Sequence, residues 1–202
     1  SQNPEPAVEE LQLVQAAQTL GYEALLIPTW ECCIEYQGEE KIYWKGEAFP
    51  QVDCIIPRAR FVEHSEAQLH LLRFLERRFP SLNKADGISV AKNKVKTMEV
   101  LTRAGIAVPQ SFVIEDLSCF ANAVESLGAY PVIWKAPYGT FGMDVHLVHS
   151  YEEGVKLFED YFKINSAMNF LIQEFIEESA GRDMRVFVLE GKVLAAMERQ
   201  AK

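Results

Sequence analysis

Basic charge is scarce in this sequence. Of 202 residues, 20 are Lys or Arg and 29 are Asp or Glu, a formal net charge of −9. Non-specific nucleic-acid binding needs a basic surface, so that class is excluded, although a local basic pocket is not. Apolar runs as long as a membrane span are lacking, and the N-terminus shows no signal-peptide pattern. Cysteine is sparse. Cys32, Cys33, Cys54 and Cys119 form no Cys-x-x-Cys pair, and the histidines are not spaced with them as zinc ligands. The adjacent Cys32 and Cys33 suit a structural disulfide poorly, so buried or half-buried free thiols in a reducing cytoplasm are expected. Internal repeats and low-complexity tracts are also missing. What remains, 49% hydrophobic and 24% charged residues, is ordinary for a globular protein, and the length allows one large domain or two small ones.

The most informative stretch is residues 131–148, PVIWKAPYGTFGMDVHLV. Val132, Ile133 and Trp134 form an apolar, partly β-branched run that suits a buried strand. Lys135 ends the run, where a buried charge needs a partner. A loop containing Gly139, Thr140 and Gly142 follows. Val145 and Leu147, alternating with polar Asp144, His146 and His149, then predict a half-exposed second strand. Glycines let backbone N–H groups turn towards an anion, and a lysine beside them supplies positive charge. The segment therefore reads as a phosphate-covering hairpin; a simple tight turn would share the same Gly-x-x-Gly spacing. It is neither a Walker loop, since no lysine follows the second glycine, nor a dinucleotide fingerprint, since its third glycine position holds Asp144.

In chain order, a helix is predicted over 6–20 with Val8, Leu11, Val14, Ala17 and Leu20 on one face, closed by Gly21. A strand over 22–28 follows; in a parallel sheet such a helix normally has a strand before it as well. Residues 34–37 and 41–45 predict a hairpin turning at 38–40, with Tyr43 and Trp44 as packing residues. Residues 52–57 predict a short buried strand, then Arg58 and Arg60. Arginines just past a strand's carboxyl end lie where α/β folds place ligands; solvated charges would read the same. Residues 66–79 predict an amphipathic helix with Leu69, Leu72, Leu75 and Phe79 inward, and 84–89 a connector. One helix is predicted over 90–104, with Val95, Met98, Leu101 and Ala104 inward. Lys92, Lys94 and Lys96 near its start cannot all share a face; they oppose the macrodipole unless an anion lies there, and solvated lysines are the plainer reading. A strand over 111–114, a helix from a Ser118 cap to Leu127, and a helix through Phe162 opened by Ser150 and Glu153 follow. A strand over 169–175 and a hairpin over 184–198, turning at Glu190-Gly191, complete the pattern.

From Val52 onward the motifs VDCIIPR, AKNKVKTMEVLTRAGIAVP, PVIWKAPYGTFGMDV and FLIQEFIEESAGRDMRVFVLEGKVLAAMERQAK stand in a fixed order. Together they resemble an ATP-grasp ligase of the RimK type, the RimK-like α-L-glutamate ligases and their LysX-like relatives. The first fifty residues resemble the family's N-terminal domain more loosely. The resemblance implies an α/β fold, α+β in part: an N-terminal domain over 1–85, a central ATP-grasp subdomain over 86–172, and over 173–202 a hinge and opening hairpin of a C-terminal lobe. It implies that Lys94 and Lys135 are nucleotide lysines and that Gly139, Thr140 and Gly142 belong to the loop over ATP. Gln173, Glu174, Phe175 and Ile176 match the hinge at the adenine edge, although Gln173 and Glu174 would also pass as ordinary strand residues. Asp183 matches a carboxylate at the ribose, and Arg185 and Arg199 match arginines turned towards phosphates or substrate. Arg58 is a candidate for an acidic substrate. Asp183 and Arg185 lie two apart on a predicted strand and share a face.

The resemblance also implies the chemistry. A carboxylate attacks the γ-phosphate of ATP, and an amine then displaces phosphate from the acyl phosphate to form an amide. Such transfer rests on positioning and charge neutralisation. The cofactors implied are ATP and Mg2+, with metal ligands expected beyond Lys202 and none within the chain. Glutamate or a related amino acid, joined to a peptide, protein or small acceptor, is the implied substrate pair, in the cytoplasm, without nucleic acid or membrane. A homo-oligomer is implied by analogy alone. The motif order suggests a chain truncated at both ends, which would bind nucleotide without completing a ligation. A catalytically silent nucleotide-binding or assembly module, and an ATP-grasp ligase with a thiol or other amino-acid acceptor, remain open.

Overall fold

The structure, a computed structural model, describes residues 5–58, 66–139, 144–164 and 168–200. Its chain divides into two units, Ser1–Lys92 and Asn93–Lys202.

In the first unit, helix α1 (Val8–Thr19) ends where glycine was expected to end it. Gly21 has φ +85°, its N–H donates to Gln18, and the Tyr22 N–H donates to Ala17, the reciprocal pattern that favours a left-handed residue after a helix. The expected inward face does not pack: α1 has no buried residue, and Val14 and Ala17 are only half-buried. Residues 22–28 likewise form no ladder, in contrast to the expected strand. A strand is defined by its neighbour, and local propensity alone does not supply one.

Strands β1 (Cys32–Gln37) and β2 (Glu39–Trp44) make the expected hairpin, turning at Gly38 with φ +76°. A short β3 (Glu47–Ala48) extends it. Helix α2 (Glu66–Glu76) buries Leu69, Leu71, Leu72, Phe74 and Leu75. Leu71, Leu75 and Phe79 pack with Ile34, Ile42, Phe49, Val52 and Ile55 as the unit's core. Residues 52–57 were expected as a buried strand. They pair only through one parallel bridge, Ile55 to Ser81, and Asp53, Cys54 and Ile56 are exposed.

The expected connector at 84–89 is instead the start of a helix, α3 (Ala85–Lys92). The Glu76 carboxylate accepts the Ala85 N–H at 2.8 Å and so stabilises that start. The single helix expected over 90–104 is broken at Asn93. Its side chain accepts the Lys96 N–H at 3.0 Å and caps a new helix, α4 (Lys94–Arg103). Asparagine's short amide competes for backbone hydrogen bonds, which favours a cap over a helix interior.

The second unit is built on a four-stranded sheet in the order β4 (Ser111–Ile114), β7 (Phe170–Glu174), β5 (Val132–Lys135), β6 (Val145–Val148), every ladder antiparallel. Helices α5 (Ser118–Leu127) and α6 (Tyr151–Ile164) supply residues to the core on one face. That core joins Phe120, Ala123 and Val124 to Val132, Trp134, Val148, Phe170 and Ile172. Gly154 of α6 lets the helix approach: a Cβ there would lie 2.1 Å from Phe120 Cε1. Ser118 does not cap α5 as expected; its own N–H is accepted by Asp116 at 2.8 Å, and its hydroxyl first and this N–H second hold the Asp116 carboxyl below its usual range. The final hairpin, β8 (Arg182–Leu189) and β9 (Lys192–Gln200), turns at Glu190-Gly191, both at positive φ, as the sequence predicted.

Two expectations about side chains reverse. In β6 the polar residues face in: Asp144 and His146 are half-buried, whereas Leu147 is 41% exposed. Alternation fixes which residues share a face but not which face is covered. Of the four free cysteines only Cys32 is half-buried, and the others are exposed.

Candidate functional site: a lysine pair beside the glycine turn

Strand pairing decides where Lys135 points. In β5, Val132 and Trp134 are buried in the helix-covered core, so Ile133 and Lys135 lie on the other face. Ile133 is opposite Gln173 and Lys135 is opposite Leu171 on β7, and Gln173 is opposite Ser111 on β4. Lys135 Nζ donates to Gln173 Oε1. Gln173 Nε2 donates in turn to Ser111 Oγ at 2.8 Å. The amide is 5% exposed and holds the ammonium in place. The Gln173 side chain is thus a support for Lys135, a role the sequence did not suggest.

Lys94 opens α4, and its N–H donates to Pro137 at 2.8 Å, tying the helix start to the segment that leads into Gly139. Burial, and secondarily the Lys94 charge, pushes the Lys135 pKa down. Both effects disfavour a bare cation and both are relieved by an anion. Among the described residues, Lys135 is paired with a neutral amide carbonyl and not with a carboxylate.

Gly139 has φ +141°, and a Cβ there would lie 2.3 Å from Asp144 Oδ2. The glycine is therefore required by conformation and by space. Thr140 and Gly142 lie outside the described residues. After β7, Glu174 accepts the Gln110 N–H at 2.7 Å through Oε1, and its own N–H donates to the Gln110 carbonyl at 3.0 Å. Ile176 accepts the Ser179 N–H. Part of the backbone around Phe175 is thus already paired. On the terminal hairpin, Asp183 and Arg199 are opposite one another, and Arg199 holds the carboxylate through Nε at 2.9 Å and Nη2 at 2.7 Å. Arg185 is exposed on the same strand as Asp183. Arg58 is exposed and belongs to the first unit, and Arg60 lies outside the described residues.

The structure therefore ties Lys135 to Gln173, anchors the Lys94 backbone to Pro137 just ahead of Gly139, and pairs Asp183 with Arg199. Among the described residues no three His, Cys, Asp or Glu side chains gather as a metal site. Cys32, whose thiol burial pushes up to about 11, offers no thiolate near neutral pH.

Comparison with known proteins fits this arrangement. Residues 91–202 match the family described as RimK-like ATP-grasp domain. The chain is 31% identical over 191 residues to "Probable alpha-L-glutamate ligase 2" of Pseudoalteromonas atlantica (strain T6c), covering 94% of this chain and 63% of that protein. It is 32% identical over 204 residues to "Probable alpha-L-glutamate ligase 2" of Shewanella sp. (strain MR-4), covering 100% and 67%. It spans 63–67% of the length of these two curated relatives. Among solved structures, the RimK domain protein ATP-grasp from Sphaerobacter thermophilus is similar with a TM-score of 0.77, at 20% identity, over 98% of this chain and 71% of that one. The ATP-grasp ligase PsnB complexed with minimal precursor is similar with a TM-score of 0.63, at 18% identity, over 95% and 66%. With the lysine pair, the glycine turn and the antiparallel sheet in this order, the chain has the ATP-grasp fold and belongs to the RimK-like ATP-grasp family.

Proposed function

We propose that this chain binds ATP as part of an ATP-dependent carboxylate–amine ligase. The observation that carries the reading is Lys135, half-buried at the end of β5, fixed by Gln173 and close in sequence to Gly139, where only a glycine fits. Burial disfavours its cation, and the phosphates of a nucleotide would offset that cost.

On this reading Lys94 and Lys135 bind phosphates, and Gly139, with Thr140 and Gly142, covers them. The hinge Gln173, Glu174, Phe175 and Ile176 lies at the adenine edge, Asp183 at the ribose, and Arg185 and Arg199 towards phosphates or substrate. Arg58 meets an acidic substrate. Residues 1–85, 86–172 and 173–202 serve as N-terminal domain, central subdomain, and hinge with the opening hairpin of a third lobe. A substrate carboxylate oxygen forms a bond to the γ-phosphorus while the bond to ADP breaks. An amine then bonds to the acyl carbon, inorganic phosphate leaves, and the amine loses a proton. Lysines and loop amides neutralise charge in the first step, and exclusion of water protects the acyl phosphate. Magnesium, which such enzymes use with nucleotides, would neutralise phosphate charge when bound. The names of the relatives favour glutamate as the added amino acid, and the ATP-grasp ligase PsnB, solved in complex with the precursor peptide PsnA2, favours a peptide acceptor. A cytoplasmic location fits this use of ATP. Among the described residues no helix is long and apolar enough to cross a membrane.

Calorimetric titration of the chain with ATP tests the site. Lys135→Ala is expected to weaken binding by about tenfold to a hundredfold, the range for losing a charge-assisted hydrogen bond. Equal affinity in the variant would overturn the assignment. Hydroxylamine capture tests the chemistry: it stands in for the attacking amine, so an acceptor hydroxamate that needs ATP and the acceptor carboxylate but not glutamate supports an acyl phosphate, and its absence with every carboxylate offered counts against ligation.

A further inference from the structure

Tyr161 of α6 makes contacts that the nucleotide site does not explain. Its hydroxyl donates to Asp144 Oδ1 at 3.0 Å and lies 2.9 Å from His146 Nε2. A phenol has one proton. If it goes to Asp144, the hydroxyl accepts from His146, which puts the imidazole proton on Nε2. The chain of bonds runs His146 to Tyr161 to Asp144. All three groups are half-buried, and burial with the Asp144 bond pushes the Tyr161 pKa up to about 12.

The sheet separates this network from the lysines. His146 is opposite Trp134, on the face covered by α6, and Lys135 is on the other face. Tyr161 packs at a tilt against Phe170 in the same core, with ring centroids 5.5 Å apart. Asp144 immediately precedes β6, and its carbonyl accepts the Ala136 N–H at 3.1 Å. Its second carboxylate oxygen fills the space that a side chain at Gly139 would occupy. The carboxylate is thus clamped between a phenol and a glycine, on the helix side of the sheet.

We propose that Tyr161 is a positioning residue for nucleotide binding: with His146 behind it, it draws the Asp144 carboxylate to the helix-covered face and keeps that negative charge away from phosphate beside Lys135. The proposal rests on the ATP-binding reading above. A carboxylate at the exit of a phosphate-binding turn opposes the ligand by direct repulsion. The turn here carries one and neutralises the problem by placement.

The test is ATP titration of four forms of the chain: wild type, Tyr161→Phe, Asp144→Asn and the double variant. Tyr161→Phe is expected to weaken ATP binding on the order of fivefold or more, from one released charge near a polyanion. The double variant is expected to return to within about twofold of wild type, because an amide does not repel phosphate. A purely structural tyrosine predicts the opposite, a double variant as weak as Tyr161→Phe, and that result would overturn the proposal. So would wild-type affinity in Tyr161→Phe. If wild type itself binds no ATP, the nucleotide reading fails and this one with it; if wild type binds and only the rescue is missing, this one fails alone.

Discussion

Strand β7 and the β8–β9 hairpin follow one another along the chain and are held in opposite ways. β7 lies between two partners and buries Phe170, Leu171, Ile172 and Gln173. The hairpin exposes every residue of both strands, Met184 to 69%. Its order comes from its own ladder, a two-residue turn and the Asp183–Arg199 pair. A lone two-stranded hairpin is marginal in water. Lys135 therefore sits on a frame set by a core, through Gln173, whereas Asp183, Arg185 and Arg199 sit on a frame set by local geometry. Catalytic positioning is more precise on a rigid element. On the proposed assignment, the lysine end of the site is preorganised by the sheet, and the arginine end only by its own ladder.

The largest expected effect lies at the centre of the sheet. Trp134 is fully buried and contacts the rings of Phe120, Phe158 and Phe170. Trp134→Ala should destabilise the second unit by about 3–5 kcal/mol, read from denaturant unfolding. The same truncation of exposed Met184 should stay within about 0.5 kcal/mol. Comparable losses at the two positions would erase the contrast. Next comes Gly154→Ala. Helix propensity alone would make it favourable by about 1 kcal/mol, but its Cβ would meet the Phe120 ring at 2.1 Å. Overpacking of this kind costs about 1–3 kcal/mol, so net destabilisation is expected, and a stabilised variant would show that α6 can move off the sheet.

Much of this second unit was legible in the sequence. The β5 run Val132–Lys135, the strand around Phe170–Glu174 and the Glu190-Gly191 turn are local signals, and the ladder formed as they predicted. The motif order gave the family. What escaped depends on partners far along the chain. Asp144 and His146 looked like the wet side of β6 because polar alternation cannot reveal a tyrosine 15 to 17 residues later that receives both. The Asn93 break had a visible signal, a good capping residue inside a proposed helix, which apolar periodicity overrode. In the first unit, residues 22–28 and 52–57 had strand composition, but composition cannot supply the neighbour that a ladder requires. Gln173 was read as part of a hinge; its role under Lys135 follows only from register across three strands.

The pH dependence of ATP affinity sharpens the contrast from the sheet side. Burial and Lys94 lower the Lys135 pKa from 10.5 in the free protein, and bound phosphate would raise it again. Binding then takes up a proton wherever free Lys135 is already neutral. Affinity should be flat at lower pH and should fall, by at most about tenfold per pH unit, as pH rises through the lowered pKa. The same shift acts on stability with the opposite sign. Between the folded value and 10.5 the unfolded chain holds the extra proton, so stability without ligand should rise with pH across that window. Lys135→Arg should remove both dependences, since guanidinium stays charged. An affinity profile unchanged by that substitution would mean that another group carries the titration.

The smallest expected effect on stability lies in the hairpin. Asp183 and Arg199 are bidentate, yet both side chains are about half exposed. An exposed pair contributes about 0–1 kcal/mol and is screened by salt. Arg199→Ala should therefore change unfolding free energy by less than about 1 kcal/mol, far below Trp134→Ala. Its consequence should appear in ligand binding. The guanidinium that now neutralises Asp183 is the same one expected to reach phosphate or substrate, so in the free protein each group occupies the other. On the proposed assignment, removing Arg199 would release Asp183 for a ribose hydroxyl and remove a phosphate cation at once. Asp183→Asn should weaken ATP and adenosine alike, whereas Arg199→Ala should weaken ATP and leave adenosine unchanged or slightly improved. Parallel losses for both ligands in both variants would mean that the pair acts only by holding the hairpin together, and the arginine end of the site would then have to be sought elsewhere on the chain.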